Sequence, residues 1–131
     1  MNNKFVPYHI ALRLKNIGFK EECLGVYLND LNEVRYEVFN KKLNFINDNS
    51  SWVTAPLWQD AFDWFVTKKY SSYIIIRDDN IYWRIIILAD KTGTAKGYSG
   101  YSNNILEGRI NCLDQLLKCV EKQNNTLKYV V

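Results

Sequence analysis

A chain of 131 residues, 47% hydrophobic and 15% aromatic, has the size of one domain and enough apolar side chains to bury a core. Seventeen Lys and Arg against fourteen Asp and Glu leave a net charge of +3 with no basic stripe or acidic block, so nucleic acid is not an expected partner. Cys23, Cys112 and Cys119 form no paired motif and His9 is the only histidine, which removes disulfide frameworks, most zinc sites and Ser-His-Asp arrangements. No metal or cofactor is expected. The first residues lack an apolar signal core, and the longest apolar runs fall far short of a membrane span. A soluble, reduced, cytoplasmic protein without a membrane partner is the expectation.

Pro7 suits the first turn of a helix, where its fixed φ helps and its missing N–H is not needed. Ile10, Leu14 and Ile17 recur at helical spacing with Ala11 widening the stripe. Gly18 supplies a left-handed C-terminal residue and Phe19 can pack back, which predicts a helix of about three turns. Residues 23–28 and 34–39 are short β-favouring runs around a polar turn, Asn29-Asp30-Leu31-Asn32-Glu33, and predict a hairpin. Val34, Tyr36 and Val38 alternate with Arg35 and Glu37, and Gly25 weakens the first strand or marks a bulge. Residues 40–51 read as a surface connection pinned by Leu43, Phe45 and Ile46, followed by a short extended segment at Trp52 and Val53.

The central helix is predicted over residues 55–70. Trp58, Ala61, Phe62 and Phe65 make a core stripe, Leu57 and Trp64 extend it to one side, and Pro56 and Asp60 suit its N-terminus. Residues 73–77 and 81–89 flank Asp78-Asp79-Asn80, the strongest hairpin signal in the chain. Isoleucines occupy both alternating positions: Ile74, Ile76, Ile86 and Leu88 are read as one face, and Ile75, Ile85 and Ile87 as the other. Such strands are covered on both sides, or covered on one and used for association on the other. Residues 91–104, with Gly93, Gly97, Gly100, Tyr98 and Tyr101, read as a long loop. Leu106, Ile110, Leu113, Leu117 and Val120 mark a last helix of about five turns, capped by Asn103 or Asn104 and ended by Gln123-Asn124-Asn125. Leu127, Tyr129, Val130 and Val131 suggest a final short strand.

The order is α-β-β-α-β-β-α. It predicts a single α+β domain over residues 1–131, with an antiparallel sheet of about four strands in two hairpins and three helices. If the helices share one face of the sheet, the other face of the hairpin 73–89 needs a partner.

No stretch carries a catalytic constellation. His9 and Arg13 sit one turn apart with Asn16 near by and could take a phosphate, but an ordinary solvated helix face explains them as well. Asp60 and Asp63 read as helix-end charge, and the Asp30/Asn32 and Asp78/Asp79/Asn80 groups as turn chemistry, since neither has the glycine and terminal glutamate of a calcium loop. Gly93-Thr94-Ala95-Lys96-Gly97 lacks phosphate-loop spacing. The glycine- and tyrosine-rich stretch, with Lys91 and Lys96, has a composition suited to adaptable binding. Trp52, Trp58, Trp64 and Trp83, with Tyr8, Tyr70, Tyr73 and Tyr82, could stack a nucleobase, although helical spacing favours a core role. Cys112 and Cys119 read as packing residues.

Two stretches carry a resemblance: Pro7-Tyr8-His9-Ile10-Ala11-Leu12-Arg13-Leu14-Lys15-Asn16-Ile17-Gly18-Phe19, and Trp52-Val53-Thr54-Ala55-Pro56-Leu57-Trp58-Gln59-Asp60-Ala61-Phe62-Asp63-Trp64-Phe65. They resemble a group of small proteins without an assigned activity, encoded by phages and mobile elements of Bacteroidetes-type bacteria. The resemblance covers the first and central helices, and implies an accessory protein acting in a bacterial cytoplasm. It carries over no catalytic residue.

The expected function is therefore non-enzymatic: association with a second copy through the hairpin 73–89, or with a host protein, in a role such as counter-defence. The alternative is a small, nucleotide-like ligand held by an aromatic and basic pocket. Candidate binding residues for the two readings are Trp64, Trp83, Arg84, Lys96, Tyr98, Tyr101 and Arg13.

Overall fold

Helix α1 (Tyr8–Asn16) begins one residue later than proline at the first helical position would give, because Pro7 is the N-cap itself, with extended backbone. Its end follows the glycine rule. Gly18 has φ +99, its N–H donates to the Lys15 carbonyl at 3.2 Å, and the Phe19 N–H reaches the Leu14 carbonyl at 3.0 Å. That double closure satisfies two carbonyls the helix would leave open and turns Phe19 into the interior, where it is fully buried.

The computed structural model describes residues 4–28, 34–36, 45–48, 50–87 and 96–129. The fold is α+β, with three helices and two antiparallel sheets, and its backbone contacts group into two compact units, residues 1–61 and 62–131. The division falls within the central helix.

In the first unit β1 (Gly25–Leu28) is the middle strand. It pairs antiparallel with β2 (Val34–Tyr36) on one side and β3 (Trp52–Ala55) on the other. Gly25 pairs on both sides, with Tyr36 and with Ala55, so it marks no bulge. The predicted turn at residues 29–33, and Val38, Phe39 and Leu43, lie outside the described residues. The buried apolar set of this unit includes Val6, Ile10, Ala11, Leu14, Phe19, Val26, Tyr27 and Val53.

Polar ties hold this unit as well. The Asn47 side chain is buried, donates to the Phe19 carbonyl at 2.9 Å and accepts from the Thr54 N–H at 2.9 Å. Trp52 Nε1 donates to Ile46 O, Lys15 Nζ to Trp52 O, and the Tyr27 hydroxyl to Val6 O. Phe45 and Cys23 exchange two backbone bonds of 2.8 Å, and the Phe45 ring meets Trp52 edge-on at 5.6 Å. Phe45 thus anchors the connection as the sequence implies.

Helix α2 (Trp58–Thr67) is shorter than predicted. Ala55 belongs to β3, the Pro56 carbonyl accepts the Val6 N–H, and Leu57 bridges Phe5, so residues 55–57 are spoken for before the helix can start. Trp58, Ala61, Trp64 and Phe65 are buried, whereas Phe62 is half-buried. After the helix, Lys69 adopts φ +75, a left-handed conformation unusual for a residue with a Cβ.

The second unit is a sheet in the order β4-β5-β6, all antiparallel, with a long helix on it. Strand β4 (Tyr70–Ile76) starts three residues before the predicted strand and pairs with β5 (Ile81–Ile87). Strand β6 (Lys96–Ser102) pairs along the whole of β5. Helix α3 (Ile105–Tyr129) is capped by Asn104, whose side-chain oxygen accepts the Glu107 N–H at 2.8 Å.

Four expectations change here. The two hairpins do not join in one sheet of four strands; each gains a third strand and forms its own sheet. Much of the supposed loop 91–104 is strand β6, with Gly93 and Lys91 outside the described residues. Helix α3 runs through Gln123-Asn124-Asn125, because asparagine inside a helix costs only tenths of a kcal/mol and neither glycine nor proline stops it. Leu127 and Tyr129 are therefore helical; Val130 and Val131 lie outside the described residues.

Candidate functional site

The register of β4, β5 and β6 sorts their side chains into two faces. Arg77, Asp78, Asp79 and Asn80 form a loop of even length, closed by the Arg77 N–H on the Asn80 carbonyl at 2.9 Å. It pairs residues of opposite number parity, Ile74 with Trp83 and Ile76 with Ile81. The sequence-based grouping of Ile74 and Ile76 with Ile86 is thereby corrected. Ile74, Ile76, Ile81, Ile85 and Ile87 share one face, and only Ile75 and Ile86 occupy the other.

Helix α3 packs on the middle of the first face, whose margins stay open: Ile76 is 72% exposed and Tyr98 42%. Asn111 Nδ2 donates to the Ser102 hydroxyl at 2.9 Å, the Tyr70 hydroxyl reaches Gln123 at 3.5 Å, and Gly108 lies against Ile81. Ile85 is fully buried, as are Leu113, Leu116 and Leu117 of the helix. Trp83 is on this face and is buried; its indole N–H has no hydrogen-bond partner among the described residues. Across from it stands Gly100. A Cβ at that position would lie 2.5 Å from the Trp83 ring, so the strand must carry a glycine for the indole to lie flat over it.

The second face is open and has a three-by-three pattern. The first row is Ser71, Ile86 and Gly97; the middle row is Tyr73, Arg84 and Ser99; the last row is Ile75, Tyr82 and Tyr101. Arg84, the fourth of seven residues on the middle strand, is its centre. Tyr101 is 65% exposed, Ile75 38% and Tyr73 37%. The Tyr73 and Tyr82 rings lie 6.5 Å apart and the Tyr82 and Tyr101 rings 5.2 Å apart, both tilted, so a row of tyrosines crosses the sheet. Arg77 places its guanidinium 5.7 Å from the Tyr82 ring.

The candidate residues thus divide. Arg84 and Tyr101 meet on the open face. Trp83 and Tyr98 are on the helix face, where Tyr98 opposes Ile85. Lys96 opens β6 opposite Ile87, with its side chain outside the described residues. Trp64 is buried in α2, edge-on to Phe65 at 5.1 Å with Lys68 Nζ 5.1 Å from its ring. Arg13 belongs to α1 of the first unit. Tyr73, Ile75 and Tyr82 complete the open face; only the cross-strand register identifies Tyr73 and Tyr82 as neighbours of Arg84 and Tyr101.

The thiols suit packing, not nucleophilic chemistry. Burial pushes the Cys23 thiol up to about 11 and the Cys112 thiol up to about 12, and the Cys23 thiol donates to the Glu21 carbonyl at 3.5 Å. Among the described residues no group of three or more His, Cys, Asp or Glu is placed to hold a metal ion. No described helix is long and apolar enough to cross a membrane.

Comparison with protein-family models, with curated proteins and with solved structures gives no match.

Proposed function

We propose that the protein is a non-enzymatic binding protein that acts by associating with another protein through the open face of the β4-β5-β6 sheet. The carrying observation is the exposed tyrosine row with Ile75, on a sheet whose opposite face is already covered by α3. Tyrosine, arginine and exposed aliphatic residues on a rigid surface are the composition of interface hot spots. An apolar patch of this kind costs solubility unless a partner covers it. The likeness of the first and central helices to phage and mobile-element proteins would make that partner a host protein in a bacterial cytoplasm, with counter-defence as one role. The nucleotide-like alternative has less support, because Trp64 and Trp83 have buried rings that a base cannot stack on.

The test is differential. Wild-type protein and the double variant Ile75→Lys, Tyr101→Ser are compared by circular dichroism, light scattering and capture from a bacterial extract. A species retained by the wild type and lost by the equally folded variant, or a dimer lost in the same way, supports the reading. Equal behaviour of the two chains sinks it.

A further inference from the structure

We infer that the open face is built for a different protein, one that places an Asp or Glu carboxylate on Arg84 within an apolar surround, and not for a second copy of this chain. The inference rests on the association reading above and names its partner's chemistry.

Arg84 is exposed at the centre of the face, and among the described residues no carboxylate pairs with it. The nine face positions include no Asp or Glu. Asp78 and Asp79 are exposed in the turn, beyond the strand ends. A partner that covers the tyrosine row removes water from Arg84, which has Tyr73 and Ser99 across from it and Tyr82 and Ile86 along its own strand. A charge desolvated in this way is strongly unfavourable unless its donors find an anion. A carboxylate meets the planar fork with two parallel hydrogen bonds, and a partner seated over Tyr73, Tyr82 and Ile86 shields that pair from water.

Symmetry argues against self-association. Two copies related by a two-fold axis and packed face to face bring centre against centre, because the same patch serves on both sides. Arg84 would then lie near its own copy, with Arg77 adding positive charge and nothing on the face to neutralise either. A nucleic-acid strand fits less well than a protein. Two guanidiniums offer few phosphate contacts to a polyanion, while Ile75 and Ile86 offer aliphatic surface that bases do not need.

A random peptide display library is panned on the purified full chain and on Arg84→Glu, whose thermal melt is expected to match the wild type because the site is exposed. Peptides selected on the wild type are expected to carry an acidic residue beside apolar ones. Arg84→Glu should weaken them roughly tenfold to a hundredfold and select basic peptides instead, and Ile75→Lys should weaken both sets. Three results overturn the inference and leave the association reading standing: face-dependent peptides with no acidic residue, face-dependent peptides indifferent to Arg84→Glu, or a micromolar dimer that Ile75→Lys dissolves. Binding of a labelled random single-stranded RNA that Ile75→Lys and Arg84→Glu both remove overturns it in favour of nucleic acid. Absence of any binder sensitive to Ile75→Lys removes both.

Discussion

The two faces of the β4-β5-β6 sheet are drawn from the same strands, yet they do opposite work. On the α3 side, Trp83 and Ile85 are buried, as are Leu113, Leu116 and Leu117 of the helix, and the strand opposite gives up a side chain at Gly100 to make room. On the other side Tyr73, Tyr82 and Tyr101 lean on one another and on Arg77 but are left exposed or half-exposed. Residue type alone does not separate them, since each face holds isoleucine and tyrosine. What separates them is the parity fixed by the four-residue turn, which sends Ile74, Ile81, Ile85 and Ile87 to the helix side, with Ile76 at its exposed end, and leaves the row of Tyr73, Tyr82 and Tyr101 on the other.

That asymmetry can be broken most severely from the helix side. Trp83→Ala should cost about 3–5 kcal/mol in urea unfolding, because it empties a packed site that nothing else can fill. Gly100→Ala adds only a methyl group, but it collides with the indole and should cost about 1–3 kcal/mol by the same measurement. If Gly100→Ala were neutral, the close approach of strand and indole would be wrong.

A smaller effect sharpens the contrast through pH. Cys112 lies on the α3 side facing Ser72, and its thiol is held far above its ordinary value by burial; Cys23 in the first unit is raised likewise. The folded state therefore keeps protons that the unfolded chain loses above about pH 9. Their contribution is intact below that pH and is lost progressively toward 11–12. The melting temperature should fall by several degrees between pH 8 and 11, less so in Cys112→Ala, and both thiols should resist alkylation until the chain unfolds. The least effect on stability belongs to the open face. Ile75→Asn and Tyr101→Ser should each shift unfolding by less than about 0.5 kcal/mol. A large loss there would mean the face is part of the fold and not a docking surface.

Much of the fold was legible in the sequence because it is written locally. Helical spacing places α1, the core of α2 and most of α3; Gly18 and Asn104 mark ends that the backbone bonds verify. Both hairpins are legible from their turns. Strand β6 is not, because glycine and serine in Lys96-Gly97-Tyr98-Ser99-Gly100-Tyr101-Ser102 speak for a loop, and the need for Gly100 appears only when Trp83 lies across it. The assignment of each hairpin to its own sheet depends on β3 returning to the edge of β1, which no local pattern encodes, and on β6 being a strand that extends the second hairpin. Among the candidate residues, Arg84 and Tyr101 share the open face. Tyr98 and Trp83 are on the opposite face from them, since a strand's neighbours are set by register and not by sequence distance.

Lys69 is the place where the chain leaves something unused. Its left-handed backbone would suit glycine better by about 1 kcal/mol, so the molecule sits below the stability its own architecture permits. Lys69→Gly is therefore a background in which strained variants such as Gly100→Ala can be kept folded and handled. In that reserve, damage to the scaffold and changes on the open face become separable by experiment.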